Sequence, residues 1–410
     1  MNDAPSRVAD GGRARSHPPE RPLPPLRNRI VAGIVWSLLV ALAILGIERA
    51  ELLPPGINET TVDWRTYYLS ERALAPRSDI AVIVVGERSL EDYAYVSPVD
   101  RALLANLIRE VDGARPRAIG LDIILNRASE PAKDEALVSA IREVGSPLVL
   151  GVIDERARYY PSEDFDWQEQ LLERSGRPAA HLLFGWQDDR FGIGDHVVRF
   201  IADPAPSAPG RRGLAETLAA LGGGFAAPRS PYISWLLPPL GSGDLFPTYE
   251  IPTHPPVGSG GAGTRLIPES FRALLKDRLV LIGGAFADRD RHLTPLSVSN
   301  DEQMSGVFIH AQILAQLLDG RSLEVLSEPL ELLTLLVVAG FGFLLGRRYR
   351  LKRYDFLASA LGLAVLVPVG AWMFNAFQLI VPVTAIFFAW IAGITGGHYC
   401  NWALRKLGLG

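Results

Sequence analysis

Four long stretches without an interior charge limit what this chain can fold into more than any other feature. Residues 30–47 read IVAGIVWSLLVALAILGI, and 356–374 and 379–397 are equally free of charge. Residues 329–346 form a fourth, interrupted only by Glu331 near its start. A helix needs about 20 mostly apolar residues to cross the hydrocarbon of a bilayer, within a range of about 17 to 25. Uncharged runs of this length are rare in soluble cores. The expectation is therefore four transmembrane α-helices, one near the N-terminus and three near the C-terminus. Ala41-Leu42-Ala43 resembles a signal-cleavage site, but it lies inside the apolar run, so an uncleaved anchor is the preferred reading.

Charge orients these spans. Residues 1–29, 347–355 and 398–410 together hold 13 basic and 4 acidic residues, a net of +9, whereas residues 48–346 hold 28 basic and 41 acidic, a net of −13. The positive-inside rule places the basic pieces in the cytoplasm. The expected layout is a disordered cytoplasmic tail (1–29), a basic cytoplasmic loop (347–355), a cytoplasmic end (398–410) and an acidic body (48–328) beyond the bilayer. In a bacterial inner membrane that body is periplasmic. The single cysteine, Cys400, excludes an intramolecular disulfide framework and a Cys-based zinc site.

Within the body, short apolar runs alternate with amphipathic stretches. Residues 79–86 (DIAVIVVG), 117–125 (RAIGLDIIL), 147–153 (PLVLGVI) and 278–284 read as strands, with 182–185 and 197–202 as further candidates. Residues 98–112, 134–144 and 307–318 have helical apolar periodicity. Continuous apolar strands separated by helices imply βαβ units, hence an α/β domain with a mostly parallel sheet. Residues 203–270 are rich in Pro and Gly and read as an irregular excursion from the sheet, with one short helix at 214–221, removable without loss of fold.

No enzyme motif appears: no Walker A loop, H-E-x-x-H or G-x-S-x-G. Residues 258–263 satisfy G-x-G-x-x-G but lack the flanking strand and helix that dinucleotide binding requires. Neither an enzymatic activity nor a cofactor, dedicated metal site or nucleic-acid partner is expected. Ligands of open parallel sheets sit beyond the carboxyl ends of the strands. Glu87, Asp122, Asp154, Asp288, Asp290 and His292 fall there, and form the candidate ligand-binding set. Together they would suit a divalent cation or a cationic small molecule. Alternatively, these acids cap helices or pair with Arg65, Arg101 and Arg199.

The order of segments from Asp63 to about Gly320 resembles the type-2 CHASE domain, the second class of cyclase- and histidine-kinase-associated sensory extracellular domains. The resemblance rests on Asp63-Trp64-Arg65, Ser89-Leu90 after the first strand, Asp100-Arg101 and the Asp122 strand. It continues through Val197-Val198-Arg199, then Leu279–Gly283, Asp288–Pro295 and Gly306–Ala311. Asp63, Arg65, Arg101, Arg199, Gly283, Pro295 and His310 would be motif residues with structural roles. Three spans after the domain match the family's usual layout, and an output kinase or cyclase usually follows them; only about 15 residues follow Thr395.

The resemblance implies a sensor or receptor-like subunit that passes its signal to a separate membrane or cytoplasmic protein. The alternative is a structural subunit that uses the domain as a docking scaffold. Besides the lipid bilayer, a homo-oligomer is compatible with either. Gly340, Gly342 and Gly346 in the second span, and Gly393, Gly396 and Gly397 in the fourth, would let helices approach closely, within this chain or against a partner.

Overall fold

The computed structural model describes residues 24–409 except 51–55, 158–159, 186–195, 226, 228, 254–264, 288–289, 301 and 349–352. The tail before residue 24, the glycine motif at 258–263, the central part of the 347–355 loop and Asp288 therefore lie outside the described residues.

Four helices are long and apolar enough to cross a membrane: α1 (Leu26–Arg49), α9 (Glu328–Arg348), α10 (Arg353–Phe377) and α11 (Val383–Lys406). The first three extend past both ends of the uncharged run that announced them, because a helix continues into charged residues once water can solvate them. The fourth, expected over 379–397, begins only at Val383, since Leu379–Ile380 form a strand and Pro382 precedes the helix. The chain divides into two compact units. One comprises residues up to Ile44, Leu332–Ala360 and Phe388 onward. Its glycines serve contacts inside this chain. A Cβ on Gly342 would stand 2.6 Å from the Trp390 carbonyl oxygen, and added Cβ atoms on Gly346, Gly393 and Gly397 would strike the backbones of Ile394, Ala339 and Phe343. Gly396 faces the Trp36 indole instead, and Gly340 has room to spare. Small residues thus bring α9 and α11 backbone to backbone, as polar-poor helix pairs in lipid require.

The other unit, Leu45–Glu331 with Leu361–Phe387, holds the sheet. After α2 (Gly56–Leu69) come β1 (Ile80–Gly86), α3 (Arg101–Asp112), β2 (Ala118–Asp122), α4 (Pro131–Glu143), β3 (Leu148–Val152), α5 (Ser162–Ser175) and β4 (Ala179–His181). The short strands β5 (Phe184–Gly185) and β6 (Phe200–Ile201) pair with each other. Then follow α6 (Leu214–Leu221), β7 (Thr248–Glu250), α7 (Glu269–Leu274), β8 (Leu279–Ala285), β9 (Arg291–His292), β10 (Met304–Ser305) and α8 (Gly306–Asp319). Finally β11 (Glu324–Val325) pairs in parallel with β12 (Leu379–Ile380), between α10 and α11.

The main sheet has the order β4-β3-β2-β8-β1-β7, and every pairing in it is parallel. Its strands are buried on both faces, so they read as unbroken apolar runs rather than alternations. Ile83, Ile119, Leu150 and Ile282 meet α3, α4 and α5 on one face. Ile80, Val82, Val149 and Leu281 meet α6 and α8 on the other. The chain leaves β1 and β2 toward the first face and β8 toward the second, so the crevice at the carboxyl end of β8 is a switch point.

Three departures from the sequence reading bear on the site. The strand that joins the sheet in the 182–185 region is Ala179–His181, one turn earlier, so His181 ends it. The α2 helix was not anticipated, because three of its buried positions are filled by Asp63, Arg65 and Thr66, and Val62 alone makes no apolar period. The 203–270 stretch is no detachable excursion: Leu214, Leu218, Trp235 and Phe246 are core residues and Thr248–Glu250 is the sheet's sixth strand. Its prolines break it into short pieces that pack, instead of keeping it outside the core.

Candidate functional site

Asp122 is the last residue of β2 and lies opposite Gly283 of β8. A Cβ on Gly283 would stand 2.5 Å from the Val307 Cβ and 3.2 Å from Asp122 Oδ2. The glycine lets the first turn of α8 close onto the sheet, with the Asp122 carboxyl beside it. One turn along α8, His310 Nε2 stands 3.9 Å from Asp122 Oδ1, too long for a hydrogen bond, and both side chains are buried. The His310 ring rests on Phe184, 4.5 Å between centroids, and Phe184 meets the edge of His292 at 5.2 Å. His292 Nε2 is 3.0 Å from Asp290 Oδ1. Asp290, held at a left-handed φ of 52°, places its carboxylate at the α8 N-terminus. A Cβ on Gly306 would collide with both Asp290 oxygens at 2.7 Å. A helix N-terminus favours negative charge there.

On the adjoining side, Asp154 holds Arg156 through two contacts of 2.6 and 2.9 Å, and Arg156 Nη1 donates to the Asp203 carbonyl at 2.6 Å. His181 is buried next to this pair.

Electrostatics favours the neutral forms of Asp122, His181 and His310. Burial, reinforced by the Asp290 charge, holds the Asp122 pKa well above the usual carboxylate range. Burial lowers His310 to about 3, with the other two imidazoles adding to the shift. Burial lowers His181 to about 4, aided by the Arg156 guanidinium. Among the described residues, Asp122 Oδ2 has no hydrogen-bond partner, and the ring nitrogens of His181 and His310 make only weak approaches to the backbone at Leu183 and Leu182. An unsatisfied buried polar atom costs about 1–3 kcal/mol, so these side chains present unused hydrogen-bonding capacity.

Of the six side chains expected to converge, Asp122, Asp290 and His292 do so, and Asp154 borders them through His181. Glu87 takes a different course, since its Oε1 accepts the Ala287 N–H at 2.9 Å in an exposed turn. Asp288 lies outside the described residues. Arg199 pairs instead with Asp63, and Arg101 lies beside Asp134. Among the described residues, no three His, Cys, Asp or Glu side chains are grouped to hold a metal ion. The upward shift of Asp122 weakens it as a cation ligand and favours hydrogen bonding through its carboxyl. Sequence reasoning missed His181 and Arg156 and gave His310 a structural role only; β4's true end and the packing of α8 bring them in.

A separate cavity of about 380 Å³ is lined by Arg291 of β9, Ser305 of β10 and Gln312 of α8, and by none of Asp122, His181, His292 or His310. Phe246, Met304 and Phe308 form apolar walls, and Arg291, Asn300 and Gln303 supply polar groups. Its size falls within the range of small-molecule sites.

The motif residues outside the cluster hold the domain together. Arg199 Nε and Nη2 donate to the two Asp63 oxygens at 2.8 and 2.6 Å, both residues buried. Arg65 Nη1 donates to the Val381 carbonyl at 3.1 Å, and burial lowers its pKa to about 10. Arg101 is fully buried, 3.7 Å from Asp134, donating to the Arg127 carbonyl at 3.2 Å. Pro295 opens a buried turn (Pro295–Ser297) capped by Thr294. The CHASE2 domain family model matches residues 34–344.

The chain belongs to the CHASE2 domain family.

The CHASE2 match begins inside α1 and ends inside α9, so it takes in the entire sheet domain together with most of the two spans that flank it. CHASE2 domains are extracellular sensory domains, which gives this membrane protein a sensor role. Among curated proteins and among solved structures, nothing matches.

Proposed function

We propose that this CHASE2 protein is a receptor subunit of a bacterial inner membrane, with both termini cytoplasmic and the sheet domain periplasmic. It binds a small polar molecule at the carboxyl edge of the sheet and acts by binding, without catalysis. The ligand occupies the cavity beside β9–β10, and the Asp122–His310–His181 cluster reads its presence. The signal leaves through α8, whose C-terminus at Gly320 leads through residues 320–327 into α9. A separate protein reads the resulting change in the spans.

The observation that carries this reading is the set of buried polar atoms on Asp122, His181 and His310 that lack a hydrogen bond of good geometry among the described residues, with His310 on the helix that continues toward a span. A group left unsatisfied responds strongly to any nearby rearrangement that supplies a partner, and a ligand shifts an equilibrium by its differential affinity for the two states. Orientation rests on the net +9 of the flanking pieces against −13 of the body.

The test is thermal unfolding of the full chain in nanodiscs against a panel of small polar metabolites. A ligand at 100 times its Kd adds about 2.7 kcal/mol to stability. A saturable shift that disappears in Arg291→Ala supports the reading. No shift across the panel, together with stoichiometric co-purification of a membrane complex, supports a docking scaffold instead.

A further inference from the structure

The α2 helix has two faces of opposite character. Val62, Asp63, Arg65 and Thr66 are buried, whereas Trp64 is 41% and Tyr68 65% exposed. Trp64 and Tyr68 lie one turn apart and stack at 5.5 Å with planes 12° apart. Tyr67 sets its edge against Tyr68 at 4.8 Å, and its hydroxyl accepts from Ser299 Oγ at 2.7 Å. The stack is thus fixed in place by its neighbours and still left uncovered.

The buried face shows what level this helix occupies. Arg65 donates to the carbonyl of Val381, in the short link between α10 and α11. Val62 joins Phe374 and Ile380 in one apolar cluster. Arg65 Nη1 also lies 4.0 Å from where a Cβ on Gly370 would be. Gly370 is seven residues before the end of α10, or about 10 Å along the helix axis. The α2 helix therefore sits beside the last turns of a span, and at that end α10 exposes an aromatic pair of its own, Trp372 at 58% and Phe377 at 59%.

We propose that α2 is an interfacial anchor whose Trp64–Tyr68 face rests in the lipid headgroup layer on the sheet domain's side of the bilayer. Tryptophan and tyrosine favour that layer because an apolar ring and a polar edge each find a matching medium there. The partner is the lipid surface itself. The recognition is aromatic and not ionic, since the Arg65 and Asp63 charges of α2 are buried and engaged on its other face. Through Asp63–Arg199 and Arg65–Val381 the same helix ties the sheet domain to the α10–α11 link, so headgroup packing bears on the sensory domain directly. This inference stands whether or not a small ligand binds at the carboxyl edge.

The test compares the full chain and its Trp64→Phe variant in nanodiscs, using headgroup nitroxide lipids and aqueous iodide as quenchers of tryptophan emission. The lipid-quenched part of the emission should fall in the variant while the iodide-quenched part stays the same. This difference should persist in purely zwitterionic lipid and in high salt. Trp372→Phe provides a second emitter at the same span end and should show the same lipid-side loss. A loss confined to the iodide-quenched part, or no change with either quencher, overturns the proposal, the latter by showing Trp64 covered by protein.

Discussion

Two buried acid-centred constellations in the same domain are built in opposite ways. At Asp63–Arg199 each carboxylate oxygen receives a guanidinium nitrogen, at 2.8 and 2.6 Å. At Asp122–His310 the nearest approach is 3.9 Å, and among the described residues Asp122 Oδ2 and both His310 nitrogens lack a hydrogen bond of good geometry. The first keeps its charges and welds α2 to the segment before β6. The second suppresses its charges and keeps its hydrogen-bonding capacity unused. One domain thus separates the element that must not move from the one that can respond.

The contrast is broken most severely at the weld. Asp63→Ala removes the carboxylate that receives two nitrogens of the buried Arg199 guanidinium, and should cost about 3–5 kcal/mol of stability in chemical unfolding of the full chain. Next in size, Gly283→Ala drives a Cβ into Val307, so α8 must lift from the sheet; overpacking of this kind costs about 1–3 kcal/mol, read as a lower unfolding midpoint.

Acidity probes the responsive constellation. His310 and His181 have folded pKa values depressed to about 3 and about 4, so between there and about 6.5 the unfolded chain binds more protons. Stability should therefore fall as pH drops below about 6.5, by up to about 1.4 kcal/mol per pH unit for each imidazole. Asp122 acts in the reverse sense: its raised pKa means the folded chain retains a proton that the unfolded chain releases. Unfolding midpoints measured across pH should show a shallower acid loss in His310→Gln and a steeper one in Asp122→Asn. Asp122→Asn puts a neutral group of similar shape in place of a carboxyl whose charge burial already disfavours, and should change stability by less than about 1 kcal/mol, far less than Asp63→Ala. Smallest of all, Glu87→Gln removes only charge from an exposed turn contact and should stay within about 0.5 kcal/mol. If Asp122→Asn proved as damaging as Asp63→Ala, the distinction between the two constellations would be lost.

Part of this could be read in advance. The strands at 80–86, 118–122, 148–152 and 279–285 announced themselves because burial on both faces demands unbroken apolar runs. The strand at 248–250 did not, because three residues on a sheet edge leave no period to detect. The α2 helix escaped for a related reason: its buried face is mostly polar, with Asp63 and Arg65 held by distant partners. Within the site, position at a strand end was enough to single out Asp122, Asp290 and His292. It also singled out Glu87, which shares that position yet bonds elsewhere.

What the sequence determined alone is the partition between lipid and water, since span length and charge bias are sums over neighbouring residues and need no knowledge of the fold. That a ligand of such a sheet would sit beyond the carboxyl ends of its strands likewise follows from the alternation of buried strands and helices, whereas the place of β8 between β2 and β1 does not. Which polar residues are satisfied was decided only in three dimensions. Arg199 reaches Asp63 across 136 positions, while His310 stops short of Asp122 across 188, and no local pattern encodes either distance. Burial makes the difference matter: in a medium without water, a gap of one ångström decides whether a polar group is held or left waiting.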